Sequence, residues 1–480
     1  MITADDRARF LELCYEVERR NLSKSFAEFA KESWHILEPE TPLKWNWHHD
    51  YICEHLEQLR SGHIKRLIVE VPPRSMKSIL ISVCYPAWIW ASDPGHRFIK
   101  GSYSGGLSMK HSVDCRQILD SEWYRNLFGH QFQLPKYTNK VEFSNDKRGH
   151  MIATSMRGTA TGKGCNTLII DDPHNVDEAY SKHQREQTIQ AFRNKFFTRL
   201  DDKKNGRIAV VMQRIHLMDL VGSLTDQGGW TIIKLQAIEE QGRVFLFPKS
   251  KRVVERPVGD ILQPDREGIE ELDQLKRDLG SRNFMAQYQQ NPSSESGGLV
   301  KRSDIQYFKV LPKVINDWIQ SWDFTFKDTD NSNYVVGQVW ARCGPNMYLV
   351  DQIRDKLDFS ASCRAMLNLT AKWPKAILKL VEDKGNGPAI ISAMKNQVSG
   401  LVEFNPNQYG SKEARLAAVS PHFEGHNIHI PEGADWAQDW VEELVTFPNG
   451  ANDDQVDATT QALIKLNKSN RTSLTRLVKW

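Results

Sequence analysis

An α/β fold class in two parts is predicted from three observations. First, apolar runs of strand length alternate with helical segments between residues 66 and 212, the pattern of a mostly parallel sheet with helices on both faces. Second, the order changes after about residue 300: three neighbouring apolar runs, close enough for an antiparallel meander, precede alternating helices and strands. Third, acidic residues sit where several runs end: Asp171-Asp172, Asp323, Glu382-Asp383 and Asn452-Asp453-Asp454. The last three clusters are separated by about sixty to seventy residues.

Each element follows from local pattern. Residues 1–38 read as helix, with Phe10, Leu11, Leu13 and Cys14 on one face and Phe26, Phe29, Ala30 and Trp34 repeating it. Pro39 and Pro42 end that run. A helix over 48–59 precedes a strand at 66–71, a Pro-Pro loop and an apolar helix at 78–90. Strands follow at 97–103, 167–170 and 207–212, with a helix around 109–119. In the second part, strands are expected at 317–324, 334–342 and 346–353. A helix at 359–372, a strand at 376–381, a helix at 388–398, a strand near 400–404 and a helix at 453–466 complete it. Three strands and then alternating helices and strands is the order of a ribonuclease H-like domain. Charged residues crowd 264–282, and Asn291 to Gly298 has linker composition. The expected organisation is an N-terminal helical segment (1–40), a P-loop domain (41–290), a linker (291–310), a ribonuclease H-like domain (311–466) and a basic tail (467–480).

Composition bounds the partners. At 480 residues the chain exceeds one ordinary core, and 40% apolar with 26% charged residues is globular. A net charge of +3 means nucleic-acid binding must come from local patches. The seven cysteines form no CxxC pair, which argues for reduced thiols rather than zinc or disulfides. The charged start MITADDRARF lacks an apolar leader, and no run approaches membrane-spanning length.

The first candidate site is nucleotide hydrolysis. Val71 to Ser78 (VPPRSMKS) is a degenerate phosphate loop: Lys77 and Ser78 fit the end of GxxxxGK[ST], while Val71 and Met76 stand at the glycine positions. Strand, loop and helix in that order aim backbone N–H groups of Arg74, Ser75, Met76, Lys77 and Ser78 at a phosphate. The plainer alternative for the segment is a surface turn opening a helix. Asp171 ends an apolar strand and, with Ser78, would hold Mg²⁺; Asp172 would orient and deprotonate the attacking water. For that pair a simple turn before Pro173 is the alternative. Arg74 is a candidate arginine finger in cis, or else a surface ion-pair partner. The segment 213–220 would sense the γ-phosphate or merely cap a helix. Trp45, Asn46 and Trp47 would wall a base or simply fill the core.

The second candidate site is phosphodiester cleavage. Two-metal chemistry needs three or four carboxylates around ions about 4 Å apart, and oxygen ligands suit Mg²⁺ or Mn²⁺. Asp323, between Trp322 and Phe324 on a core strand, is costly to bury unless paired or metal-bound. Glu382 and Asp383 end a strand expected beside it, either one serving as ligand. Asp453, Asp454 and Asp457 open the last helix, and the 454/457 spacing shares one face. Asn452 would cap that helix, and an acid-rich first turn favoured by the macrodipole is the alternative. Lys384, Lys412 and Arg415 would track a DNA backbone or be solvated surface charges. After Asp457 come Lys465, Lys468, Arg471, Arg476 and Lys479 with no acid, a tail suited to nucleic acid or an acidic partner.

The ordered set PPRSMKS, SYS (102–104), TGKGCNTLIIDDPHN (161–175), QRIH (213–216), AQYQQNP (286–292), SWDFTF, VEDKGNG and NDDQVDA resembles the large terminase subunit of tailed bacteriophages over nearly the whole chain. The resemblance implies an ATP-driven motor that packages double-stranded DNA into a procapsid, docked on the portal protein as a homo-oligomeric, usually pentameric ring. It also implies an endonuclease that cuts concatemeric DNA, a small terminase subunit that selects the DNA, and no membrane. The expected location is the host cytoplasm, with transient docking on the procapsid and absence from the mature virion. By the same likeness Lys77, Ser78, Asp171 and Asp172 serve ATP hydrolysis. Asp323, Glu382 or Asp383, and Asp453 or Asp454 bind the nuclease metals. The sequence departs from the family at Met76, where many members have glycine, at the Asp-Asp ending in place of Asp-Glu, and at Gln213 and Ile215. The alternatives are an ATP-dependent, helicase-like DNA translocase without nuclease activity and a non-enzymatic DNA-binding or assembly protein. A transposase-like second domain leaves Lys77 and Asp171 unexplained.

Overall fold

The computed structural model describes residues 4–135, 139, 141–158, 162–176, 178–292, 298–324, 334–448, 450 and 452–477. Side chains are described from residue 9 to 468, Leu11 apart. Linker residues 293–297 and the tail side chains of Arg471, Arg476 and Lys479 lie outside these. The chain forms two compact units: Met1–Gln274 with Arg282–Ser293, and Leu275–Ser281 with Ser294–Trp480.

In the first unit, the predicted 1–38 helix is two helices, Ala4–Lys24 and Phe26–Leu37. Ser25 divides them because its backbone is extended and its Oγ accepts from Glu28 N–H, a cap that starts a new helix. Phe26 and Phe29 are fully buried with the sheet-covering residues Leu80, Tyr85 and Trp88. The sheet comprises β1 (Arg66–Glu70), β2 (Phe98–Ser102), β3 (Glu142–Ser144), β4 (His150–Ser155), β5 (Thr167–Asp171), β6 (Arg207–Met212) and β7 (Thr231–Lys234). Their order is β3-β4-β2-β5-β6-β1-β7. Every pairing is parallel except β3 with β4. β1, β5 and β6 lie side by side, so Glu70, Asp171 and Met212 all end at one edge, where α/β sheets place their ligands. β3, β4 and β7 were not expected: they flank the sheet, and the outer two are short, so their apolar signal is weak. β8 (Arg243–Leu246) and β9 (Val253–Arg256) make a separate ribbon.

The second unit holds β10 (Gln306–Phe308), β11 (Asp317–Asp323), β12 (Val335–Cys343), β13 (Asn346–Asp355), β14 (Leu378–Glu382), β15 (Leu401–Phe404) and β16 (Ile428–Pro431). Their order is β10-β16-β13-β12-β11-β14-β15. β11, β12 and β13 are the antiparallel meander, and β14 joins β11 in parallel, with Trp322 opposite Val381. This is the expected ribonuclease H-like order. One sheet face is apolar: Trp322, Phe324, Val339 and Val381 pack on Met366, Leu369, Ile390 and Met394 from helices Phe359–Lys372 and Gly387–Met394. The other face receives the Asp454–Leu477 helix through polar contacts. Ser321 Oγ donates to the Ala458 carbonyl at 2.6 Å, and Gln461 Nε2 donates to Ser321 Oγ at 3.0 Å.

Because side chains alternate along a strand, Ser321 and Asp323 share the helix-covered face. Trp322 and Phe324 stack on the opposite one, ring centroids 5.2 Å apart. Asp323 is therefore not sandwiched between aromatics, as its place in the sequence suggests. Gly337 lies directly across from Trp322, and a Cβ there would overlap the indole ring. Gly337→Ala is expected to destabilise the chain by about 1–3 kcal/mol through overpacking. An unchanged urea unfolding midpoint for the variant contradicts that packing.

Candidate functional site: a phosphate loop and a carboxylate cluster

The Val71–Ser78 loop leaves β1 and enters a π-helical turn, Ile79–Cys84, that continues as the helix Tyr85–Trp90. Arg74 and Met76 hold left-handed φ values of +62° and +54°. That is the conformation glycine supplies without strain, so Met76 adopts the glycine geometry despite its side chain. Alternating backbone signs of this kind turn successive N–H groups inward as an anion-binding nest. Arg266 donates to the Arg74 and Pro73 carbonyls and braces the loop from outside. The Arg74 side chain is exposed.

Ser78 Oγ donates to Asp171 Oδ1 at 2.9 Å, and Ser82 Oγ donates to Oδ2 at 2.5 Å. His111 Nδ1 stands 3.4 Å from Asp171 Oδ2. Burial, with Lys100 nearby, lowers that imidazole to about 4, so it is neutral at pH 7. Lys77 Nζ is 3.3 Å from Asp172 Oδ1 and donates to Gln213 Oε1 at 3.2 Å. Burial raises both Asp171 and Asp172 against the pull of Lys77. Lys100 also acts on Asp171, so this edge holds two desolvated acids with two lysines close by.

The segment after β6 is anchored rather than loose. Arg214 pairs with Asp219 through Nε at 3.0 Å and approaches Glu70 at 3.6 Å. Gln290 Oε1 accepts from Arg214 N–H. Asn46 caps the helix Trp47–Ser61, and Trp45 and Trp47 pack on the core. His48 and His49 beside them are buried, and among the described residues neither His48 nitrogen has a hydrogen-bond partner.

In the second unit, carboxylate oxygens of Asp323, Glu382 and Asp457 all lie within 4.8 Å of one another, and all three residues are buried. β11 and β14 run in parallel with their pleats in phase, so Asp323 and Glu382, each one step beyond the Trp322–Val381 pair, point to the same face. Asp383, the residue after the strand, is exposed and lies beside Leu380, Phe404, Ile464 and Lys465. The register thus separates two acids that the sequence left equivalent. Asp457 reaches the cluster from the first turn of the last helix. Asp454 accepts from Tyr334 N–H at 3.2 Å, and Asp453 is tied to Lys412.

Burial first, and then repulsion from Asp457, Glu382 and Asp454, pushes Asp323 well above the carboxylate range. Burial and Asp457 raise Glu382, and burial raises Asp454 to about 6. An all-oxygen set of crowded acids is the donor chemistry of a hard divalent ion, so the residues present fit Mg²⁺ or Mn²⁺. Sequence reasoning missed Ser82, His111, Glu70 and Arg266. Lys412 and Arg415, read as DNA-tracking or solvated, are instead bound to Asp457. An exposed acid cluster would leave such cations free, so only the fold reveals the pairing.

These two sites define the class: an α/β chain with a phosphate-loop unit and a ribonuclease H-like unit. Residues 320–466 match the family model described as the terminase RNaseH-like domain. Crystal structures of the large terminase from the thermophilic bacteriophage D6E are similar. One has a TM-score of 0.51 at 10% identity, covering 91% of this chain and 98% of that one. A second crystal form gives 0.53 at 8% identity, with 86% and 97% covered. The D6E protein in complex with ATP-gamma-S gives 0.52 at 9% identity, with 86% and 98% covered. No curated protein matches the chain by sequence. Residues 320–466 are thus similar to a terminase RNaseH-like domain, and the chain has the fold of phage large terminases. Among the described residues, no helix is long and apolar enough to cross a membrane.

Glu70 ends β1 and is 2% exposed. Burial lifts its carboxyl from 4.5 to about 7 against Arg214 and Lys234. Between those values the folded chain keeps a proton that the unfolded chain has released, so stability falls as pH rises through the window and then levels. Glu70→Gln cannot ionise and escapes that loss. Its stability relative to the native chain is expected to rise by on the order of 1–3 kcal/mol from pH 5 to pH 8 in urea titrations. An identical difference at both pH values contradicts the assignment.

Proposed function

We propose that the chain is the motor and nuclease of viral DNA packaging: it hydrolyses ATP to drive double-stranded DNA into a procapsid and cuts concatemeric DNA. The observation that carries the reading is the meeting of Asp323, Glu382 and Asp457, drawn from three distant stretches, in a chain that also bears a phosphate loop. The D6E large terminase, of the same fold, forms a complex with ATP-gamma-S. The portal protein, a small terminase subunit and a ring of further copies of this chain are the partners the reading implies.

In the first unit, loop N–H groups from Arg74 to Ser78 cradle the phosphates of ATP. Lys77 exchanges its contacts with Asp172 and Gln213 for phosphate oxygens, which frees Asp172 to accept a proton from water. Ser78 and Asp171 hold Mg²⁺, and Arg74, exposed at the loop, is the candidate arginine finger. Gln213, touching Lys77, and Arg214 after it link the loop to the 213–220 segment. In the second unit, Asp323, Glu382 and Asp457 hold Mg²⁺ or Mn²⁺, with Asp454 beside them. Asp383, which is exposed, and Asp453, which is paired with Lys412, are the further candidate ligands. When bound, the ions supply Lewis acidity at phosphate and a lowered pKa for coordinated water.

Phosphate release from ATP and cleavage of plasmid DNA with Mn²⁺ separate the two activities. Lys77→Ala is expected to lower ATP hydrolysis by roughly 10²–10³-fold while plasmid cutting persists. Asp323→Asn is expected to abolish cutting and leave ATP hydrolysis intact. Undiminished cutting by Asp323→Asn returns the reading to a translocase without nuclease activity. Undiminished hydrolysis by Lys77→Ala removes the loop from the mechanism.

A further inference from the structure

The carboxylate cluster carries two cations of its own. Lys412 is the first residue of the helix Lys412–Glu424, and its Nζ lies 2.7 Å from Asp453 Oδ1 and 2.7 Å from Asp457 Oδ2. Arg415, three residues on, donates to Asp457 Oδ1. Both oxygens of Asp457 are therefore held by side-chain cations. The same residue stands within 4.8 Å, oxygen to oxygen, of Asp323 and Glu382.

The two cations are not equivalent. Arg415 has a side chain only 3% exposed and is enclosed with the acid it binds. Losing it would leave a buried carboxylate uncompensated. Lys412 has a side chain 39% exposed and a flexible stem that can carry its charge back to water. It also sits at a helix start, where the macrodipole disfavours positive charge, so its pairing with Asp453 and Asp457 offsets that cost. The pair is open to solvent on the lysine side only, since Asp457 is buried, so a doubly charged ion is the competitor able to replace the lysine. A divalent ion at Asp457 must displace Lys412 or share an oxygen with it, and two cations at one carboxylate repel.

We propose that Lys412 is a built-in counter-ion that competes with a divalent cation for Asp457 and Asp453. The centre then fills in two steps: one ion at Asp323 and Glu382 is taken readily, and a second enters only as Lys412 withdraws. This rests on the nuclease reading above and adds to it a control on metal occupancy. Arg415 stays in place throughout and keeps Asp457 oriented.

Calorimetric titration of Mn²⁺ into the full chain, without DNA, tests it. The native chain is expected to show a tight and a weak event. Lys412→Met keeps the stem and removes the charge; it is expected to tighten the weak event roughly tenfold and leave the tight one unchanged. Lys412→Arg retains the charge and is expected to stay near the native weak affinity. Lys412→Gln provides the same readout if the Met variant does not fold. Superimposable isotherms for the native chain and the uncharged variants, in a native chain that binds Mn²⁺ and cuts DNA, overturn this inference alone. A chain that takes up no Mn²⁺ with or without Lys412 overturns both the inference and the nuclease reading.

Discussion

Three carboxylates pressed together out of water are the constraint around which the second unit is built. Asp323, Glu382 and Asp457 repel one another, and burial denies them the solvent that would screen the repulsion. Nothing in the apolar packing of Trp322, Val381 and their neighbours requires acids there. The arrangement persists because the opposite face of the same strands is a well-filled core, while the polar face is stitched to the last helix by Ser321, Gln461 and Arg342. Strain at the site is thus supported by packing elsewhere, the pattern expected where acids await a cation rather than stabilise a fold.

The first unit handles an analogous problem differently. Its acids, Asp171 and Asp172, are met by hydroxyls and a lysine, and the backbone of the loop carries the strain. Arg74, Met76 and Asp172 all take left-handed φ values although none is glycine. Each departure lies at the sheet edge shared by β1, β5 and β6, where a phosphate and its ion would bind. A loop whose residue types disfavour its own geometry is held by its surroundings: the Arg266 brace, the Ser75 Oγ bond to Pro72 and the buried helix that follows.

Much of this was legible in the amino-acid order, and the limits are physical. The long apolar strands and their order stood out because period and length are strong signals in buried elements. The helix over 359–372 is found at those residues, and β11 to β14 lie where their apolar runs do. Strands such as β3 and β16, three and four residues long, are too short to establish a pattern. Glu382 and Asp383 were indistinguishable because they are adjacent acids at the end of one apolar run; only the parallel register with β11 sets which faces Asp323. Glu70 was hidden inside an apolar run that reads as uniform strand. Lys412 and Arg415 stood out as basic groups near the second site, but a helix with mixed charges gives no hint that two of them meet an acid more than forty positions away.

The central claim is that the Asp323, Glu382 and Asp457 cluster is a divalent-ion centre. Crystals of the full chain soaked in Mn²⁺ and recorded near the manganese absorption edge address it most directly. The account predicts anomalous density within bonding distance of Asp323 and Glu382 oxygens, joined by Asp457 as occupancy rises, at about 2.1–2.2 Å, the oxygen-ligand range of small divalent ions. Anomalous density confined to other acids, with this cluster left to water and Lys412, would contradict it.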